Sequence, residues 1–182
     1  PSEKIFNVLS LNSKLVNNIQ CFNFGCSNED KTALLYSIST NRGGSFISSE
    51  EKEGETEKIE VKPLDATLQD IENVGLIKID VEGHEINVLN GAKNTITKNM
   101  PAILFEQHAS EIIDGSSFVV KFLEELGYEF FIIKKNFYFG ESMVAKIASL
   151  ACQTVFGERL DFIKVKEFSK TFYDMILAIP KY

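Results

Sequence analysis

The sequence predicts an α/β domain built on a mostly parallel sheet, and three observations carry that prediction. Residues 76–81 (LIKIDV) form a near-continuous apolar run rich in Ile. Such runs mark central strands covered on both faces. Two further runs, 102–105 (AILF) and 128–133 (YEFFII), follow at intervals that each hold a helical pattern. Strand, helix, strand, helix, strand in this order implies right-handed crossovers and parallel strands.

The elements follow in chain order. Ile5, Val8, Leu9, Leu11, Leu15 and Val16 form a helical stripe over residues 2–17, ended by Asn17-Asn18. Residues 19–24 (IQCFNF) alternate and predict a strand stopped by Gly25, and 33–38 (ALLYSI) predict a second. Asn41-Arg42-Gly43-Gly44-Ser45 reads as a turn or loop, because paired glycines tolerate backbone angles that other residues avoid. Residues 50–60 hold six Glu and two Lys, and read as a solvated acidic loop insertion. Ile59, Val61 and Leu64 alternate as a strand ending near Pro63, and Thr67 to Ile71 reads as a short helical turn.

After the 76–81 strand, Gly83 breaks the chain and a helix follows with Ile86, Leu89 and Ala92 on one face. A turn or short helix around Ile96 leads to Pro101 and the 102–105 strand. Ser116 or Ser117 caps a helix whose Phe118, Val119, Phe122, Leu123 and Leu126 recur at helical spacing, and Gly127 stops it. Residues 142–156 are apolar and helical in propensity, expected as a packed helix, with a lid or an interfacial segment as alternatives. Residues 173–179 (YDMILAI) read as a last strand.

Composition narrows the function. The 182 residues suit a single domain, and the formal charge of −7 disfavours a nucleic-acid binder that relies on an overall basic surface. More than half of that charge, −4, lies in 50–60 and says little about a site. Cys21, Cys26 and Cys152 form no CxxC pair and read as free thiols in a reducing, cytoplasmic setting. No signal pattern opens the chain, and no apolar run reaches the roughly 20 residues of a membrane span.

Ligands of open α/β sheets bind beyond the carboxyl ends of the strands. Two such ends are rich in chemistry: Lys78 to Glu85, and Phe105 to His108. With a period of two, Lys78, Asp80 and Glu82 share one side of their strand. If the two strands are neighbours, Asp80, Glu82, Glu106 and His108 converge. Carboxylates gathered in one place are costly unless function demands them. The plainer readings are a Lys78–Asp80 ion pair, Asp80 or Glu82 capping the next helix, and His84 exposed in that helix's first turn. His108 suits a general base. The same cluster offers the ligand types of a divalent-metal enzyme, although its spacing matches no metal signature. A non-catalytic Rossmann-like binding domain is the third reading. No P-loop, GxSxG elbow or HExxH is present.

IKIDVEGHEINVLNGA (Ile77 to Ala92) followed by PAILFEQH (Pro101 to His108) closely resembles the FkbM-type family of S-adenosylmethionine-dependent methyltransferases. Leu64-Asp65 and Gly43-Gly44-Ser45 match weaker elements of the same pattern. The resemblance implies a Rossmann-like class I methyltransferase sheet. Strands 76–81, 102–105, 128–133 and 173–179 would be its fourth, fifth, sixth and antiparallel seventh, in spatial order 4-5-7-6. The strand at 19–24 would be its third, with Gly25, Cys26 and Ser27, joined by Asp80, at the cofactor.

The resemblance further implies O-methylation of a hydroxyl on a small-molecule, sugar or secondary-metabolite acceptor. Asp80, Glu82, Glu106 and His108 are then the candidate catalytic residues. Asn41, Gly44, Ser45 and Glu82 are the candidates for the acceptor. Such enzymes open with a strand, a glycine-rich loop and a second strand ending in an acid. No match to that unit is found ahead of the third strand, so the chain is expected to be a partial domain lacking its first βαβ unit.

Overall fold

The computed structural model describes residues 1–38, 41–47, 55–69, 71–135, 142–157 and 160–181. These residues form two compact units, Pro1–Pro101 and Ala102–Tyr182.

The first unit opens with helix α1 (Glu3–Ser13). Strands β1 (Gly25–Cys26), β2 (Lys31–Ile38), β3 (Asn41–Ile47) and β4 (Glu55–Lys62) then form a sheet in the order β1-β4-β2-β3. Only β1 and β4 run parallel; β4–β2 and β2–β3 are antiparallel. Alternation explains the pairing. Ile59 and Val61 of β4 are buried with Leu35 of β2, and Ala33 and Ile47 pack against them, while Lys58 and Glu60 face water. A strand with one wet face suits an antiparallel sheet. On the other side of β2, Tyr36 stacks on Phe46 with ring centroids 5.8 Å apart.

Helix α2 (Leu64–Thr67), strand β5 (Leu76–Ile79), helix α3 (Glu85–Gly91) and helix α4 (Lys93–Asn99) complete the unit. Asp65 ties α2 to α4. Its carboxylate accepts from the N–H groups of Asn94 and Thr95 and from the Thr95 hydroxyl, at 2.7–2.9 Å. This satisfies donors that the first turn of a helix leaves orphaned.

The second unit contains β6 (Ala102–Gln107), a short 3-10 turn (Ala109–Glu111), α5 (Phe118–Glu125), β7 (Tyr128–Lys135), α6 (Met143–Phe156), β8 (Leu160–Val165) and β9 (Tyr173–Pro180). Its strands lie in the order β6-β9-β7-β8, and every neighbouring pair is antiparallel. Because β9 sits between them, β6 and β7 run parallel to each other, as a strand–helix–strand crossover requires. The order β6-β9-β7 is the fifth-seventh-sixth order that the family resemblance implied. Phe105, Phe130, Phe168 and Tyr173 form a chain of edge-to-face ring contacts at 5.5–6.5 Å in this core. Ser117 caps α5 by accepting from Val120 N–H, and Gly127 ends it at φ +85°.

Several expectations are corrected. The sheets are mixed rather than mostly parallel, because β2, β3 and β4 alternate and β9 enters antiparallel. The strand expected at 19–24 does not form, and β1 consists of Gly25–Cys26, starting at the glycine expected to stop it. Glu3 N–H donates to the Glu57 carboxylate at 2.7 Å, so the start of α1 lies beside the β4 edge that 19–24 would need. Residues 41–45 lie within β3 rather than in a separate loop, but the register with β2 jumps from Ile38↔Asn41 to Tyr36↔Phe46, so the paired glycines fall in an irregularity of the ladder. Of the acidic loop, 50–54 fall outside the described residues and 55–60 belong to β4. The helical turn at 67–71 is displaced to Leu64–Thr67.

β5 is not covered on both faces: Leu76 and Lys78 are exposed and only Ile79 is buried. Helix α6 is not closely packed, with Met143, Val144, Ile147 and Leu150 all exposed. Strand β8 was not anticipated. No described helix is long and apolar enough to cross a membrane.

Candidate active site in the first unit

Strand β5 delivers Asp80 one residue beyond its end, beside a cavity of about 220 Å³. Leu35, Phe46 and Ile47 give the cavity apolar walls, and Gly25, Cys26, Ser45, Asp80 and His84 also line it. Four of the residues singled out from the sequence thus meet in one place, although Ser45 was expected at the acceptor and the others at the cofactor. Asn41 and Gly44 lie on β3, and the structure describes only their backbone.

The acid at the strand end is partnered. Lys78 Nζ donates to Asp80 Oδ2 at 2.7 Å, with both side chains about half exposed (51% and 48%). The simple ion-pair reading of these two residues therefore holds. Such a pair contributes about 0–1 kcal/mol, since water screens it. Beyond Asp80 the chain turns sharply. Glu82 adopts φ +48° and Gly83 φ +88°. A non-glycine residue in this region is strained, and strain of this kind concentrates at functional sites. Glu85, 2% exposed, accepts from Gly83 N–H at 3.1 Å and braces the turn.

His84 is not an exposed first-turn residue. It is half-buried, its Nε2 lies 3.0 Å from Ser27 Oγ, and its Nδ1 lies 3.1 Å from Asn87 Nδ2. Asn87 Nδ2 only donates, so Nδ1 accepts and the ring proton resides on Nε2. Nε2–H then donates to Ser27 Oγ, whose own proton goes to Asn28 Oδ1 at 3.2 Å. Burial, and secondarily the positive charge of Lys31, lower the His84 pKa below its ordinary 6.5, in keeping with this neutral ring. Ser27, only 1% exposed, meets the site through His84 rather than by lining the cavity itself. Burial pushes the Cys26 thiol up, against the smaller opposing influence of the N-terminal charge, so it stays protonated.

Glu106 and His108 belong to the second unit. Glu106 is half-buried on β6, whose alternate side chains Phe105 and Gln107 are buried. His108 caps the 3-10 turn, and its ring lies 5.3 Å from that of Phe172. Glu111 Oε2 accepts from His108 N–H at 3.2 Å and from Gln107 Nε2 at 2.5 Å. Gln107 Oε1 accepts from the Ser117 hydroxyl at 2.5 Å. Among the described residues, no group of three or more His, Cys, Asp or Glu side chains is placed to hold a metal ion.

His84, Gly91 and Gln107 escaped the sequence reading as site or network residues. The available signals were a polar residue at a helix start and a glycine inside a helical pattern.

An apolar cavity at a strand end with a few converging polar groups is where an α/β fold offers a ligand site. The chain belongs to the FkbM methyltransferase family: the model of the methyltransferase FkbM domain matches residues 1–130. The protein is therefore a methyltransferase. No curated protein and no solved structure matches it.

Proposed function

We propose that the protein is an S-adenosylmethionine-dependent O-methyltransferase whose first-unit cavity receives the adenosine end of the cofactor. The observation that carries this reading is the meeting of Gly25, Cys26 and Asp80 around one apolar cavity. The fit is partial in a useful sense. The volume of about 220 Å³ is below the roughly 300–1,000 Å³ of sites that enclose drug-sized ligands. It suits a flat ring between Leu35, Phe46 and Ile47 rather than a whole cofactor. Ser45 and Asp80 supply polar groups for the ring edge or ribose.

When bound, the cofactor supplies a methyl group carried on a sulfonium. The chain's task is to orient an acceptor hydroxyl and take its proton. Asp80 or Glu82 is proposed as the proton acceptor, with Glu82 also proposed to hold the acceptor. Asn41, Gly44 and Ser45 are proposed to contact the acceptor as well. A carboxylate accepts several hydrogen bonds at once, which suits a sugar or polyhydroxylated acceptor. Glu106 and His108 form a separate proposed pair, with His108 as base and Glu106 orienting it.

The assay is transfer of a labelled methyl group from S-adenosylmethionine to a panel of saccharide and secondary-metabolite hydroxyls, with EDTA present. Asp80→Asn is expected to lower turnover about 100-fold or more, as loss of a general base does, with a smaller effect on cofactor affinity. His108→Ala and Glu106→Gln test the second pair. Unchanged turnover in both Asp80→Asn and His108→Ala would refute the assignment. Activity abolished by EDTA and restored by magnesium would replace it with a metal-dependent reaction.

A further inference from the structure

We propose that α3 is the positioning element for the loop after β1, with His84 and Gly91 holding Ser27 and Asn28 next to the Gly25-Cys26 wall of the cavity. The role deepens the cofactor reading above and rests on it for its consequence, though not for its geometry.

Two independent contacts converge on Ser27. At the start of α3, His84 Nε2–H donates to Ser27 Oγ, and the chain continues to Asn28 Oδ1. At the end of α3, Gly91 meets the backbone. A Cβ built there would stand 1.8 Å from the Ser27 carbonyl oxygen and 3.2 Å from Asn28 Cα. Only glycine lets the helix approach this closely. From the other side, Ser27 N–H donates to Lys62 O at 3.0 Å, continuing the β1–β4 ladder. The loop is thus fixed by its side chain, its carbonyl and its amide at once.

Cys26 lies immediately before this clamp and lines the cavity, as does His84 itself. The clamp therefore sets the shape of the wall formed by Gly25 and Cys26. His84 is a positioning residue here. A second proton on its ring would face the Asn87 amide donor and break the arrangement. The groups around the ring are the Lys31 cation, Cys26 and Asp80 at the cavity, and Glu85 next to it on α3.

The test follows hydrogen–deuterium exchange across residues 25–30 and calorimetric titration with S-adenosylhomocysteine, both on the full chain. His84→Ala is expected to raise exchange in this segment about tenfold and weaken affinity by a similar factor. His84→Gln keeps an N–H donor for Ser27 Oγ but cannot titrate, and is expected to restore both. On acidification below about pH 6.5 the unsubstituted protein is expected to lose protection in the segment, while His84→Gln does not. That contrast assigns the step to the imidazole rather than to Lys31, Cys26, Asp80 or Glu85.

Unchanged exchange in His84→Ala, or a pH step that persists in His84→Gln, would overturn the proposal. So would increased exchange with undiminished affinity. If exchange responds as expected and the unsubstituted protein fails to bind S-adenosylhomocysteine, the cofactor reading falls and the positioning role stands.

Discussion

The strand ends after β5 and β6 carry similar residues and use them differently. After β5, the polar groups border an apolar cavity. Asp80 is half exposed, and His84 reaches across to Ser27, 57 residues away in the chain. After β6, the polar groups satisfy one another. Gln107, 1% exposed, is held by Ser117 and Glu111, and Glu111 also closes the turn on His108 N–H. What separates the two ends is that Asp80 and His84 border a cavity, whereas Gln107, Glu111 and Ser117 bond one another within the second unit.

The largest way to break the contrast is Gly91→Ala. The added methyl has no room against Ser27 O, so the helix or the loop must move. Overpacking of this kind costs about 3 kcal/mol, and thermal unfolding should show a clear drop with loss of cofactor binding. Ser117→Ala disturbs the other end. It removes the α5 cap and strands buried Gln107, costing about 1–2 kcal/mol. Cofactor affinity should remain, which calorimetry can check.

A smaller effect follows from His84. Its pKa is lowered in the folded state, so the unfolded chain binds a proton first as pH falls. Its contribution to stability is therefore complete above about pH 6.5 and is lost progressively below it. Denaturant titrations should show a shallower loss on acidification in His84→Gln than in the unsubstituted protein. The smallest effect is expected for Lys78→Gln. The ion pair is half exposed, and stability should change by no more than about 0.5 kcal/mol.

Much of the second unit was legible in the sequence. The strands at 102–105 and 128–133, the Ser117 cap and the Gly127 stop follow from local rules, and the resemblance supplied the position of β9. Much of the first unit was not. Gly43-Gly44 reads as a turn by propensity, yet it lies inside β3 as an irregularity between the Ile38↔Asn41 and Tyr36↔Phe46 pairs. Residues 19–24 alternate like a strand, but a ladder needs a free partner edge. Helix α6 shows that apolar composition predicts a helix without saying what covers it.

Asp80, Gly25 and Cys26, named from the family pattern, do line the cavity. The His84–Ser27 link was not legible in the sequence, because nothing local couples residues so far apart in the chain. Gly91 was visible as a break near a helix end, but its close approach to Ser27 exists only in three dimensions.

The central claim is that the first-unit cavity takes the adenosine end of S-adenosylmethionine. Ultraviolet crosslinking of radiolabelled cofactor to the full chain, followed by peptide mapping, tests it most directly. The account predicts label on peptides containing Cys26 or Phe46, competed away by S-adenosylhomocysteine. Competable label confined to residues 102–181 would contradict it.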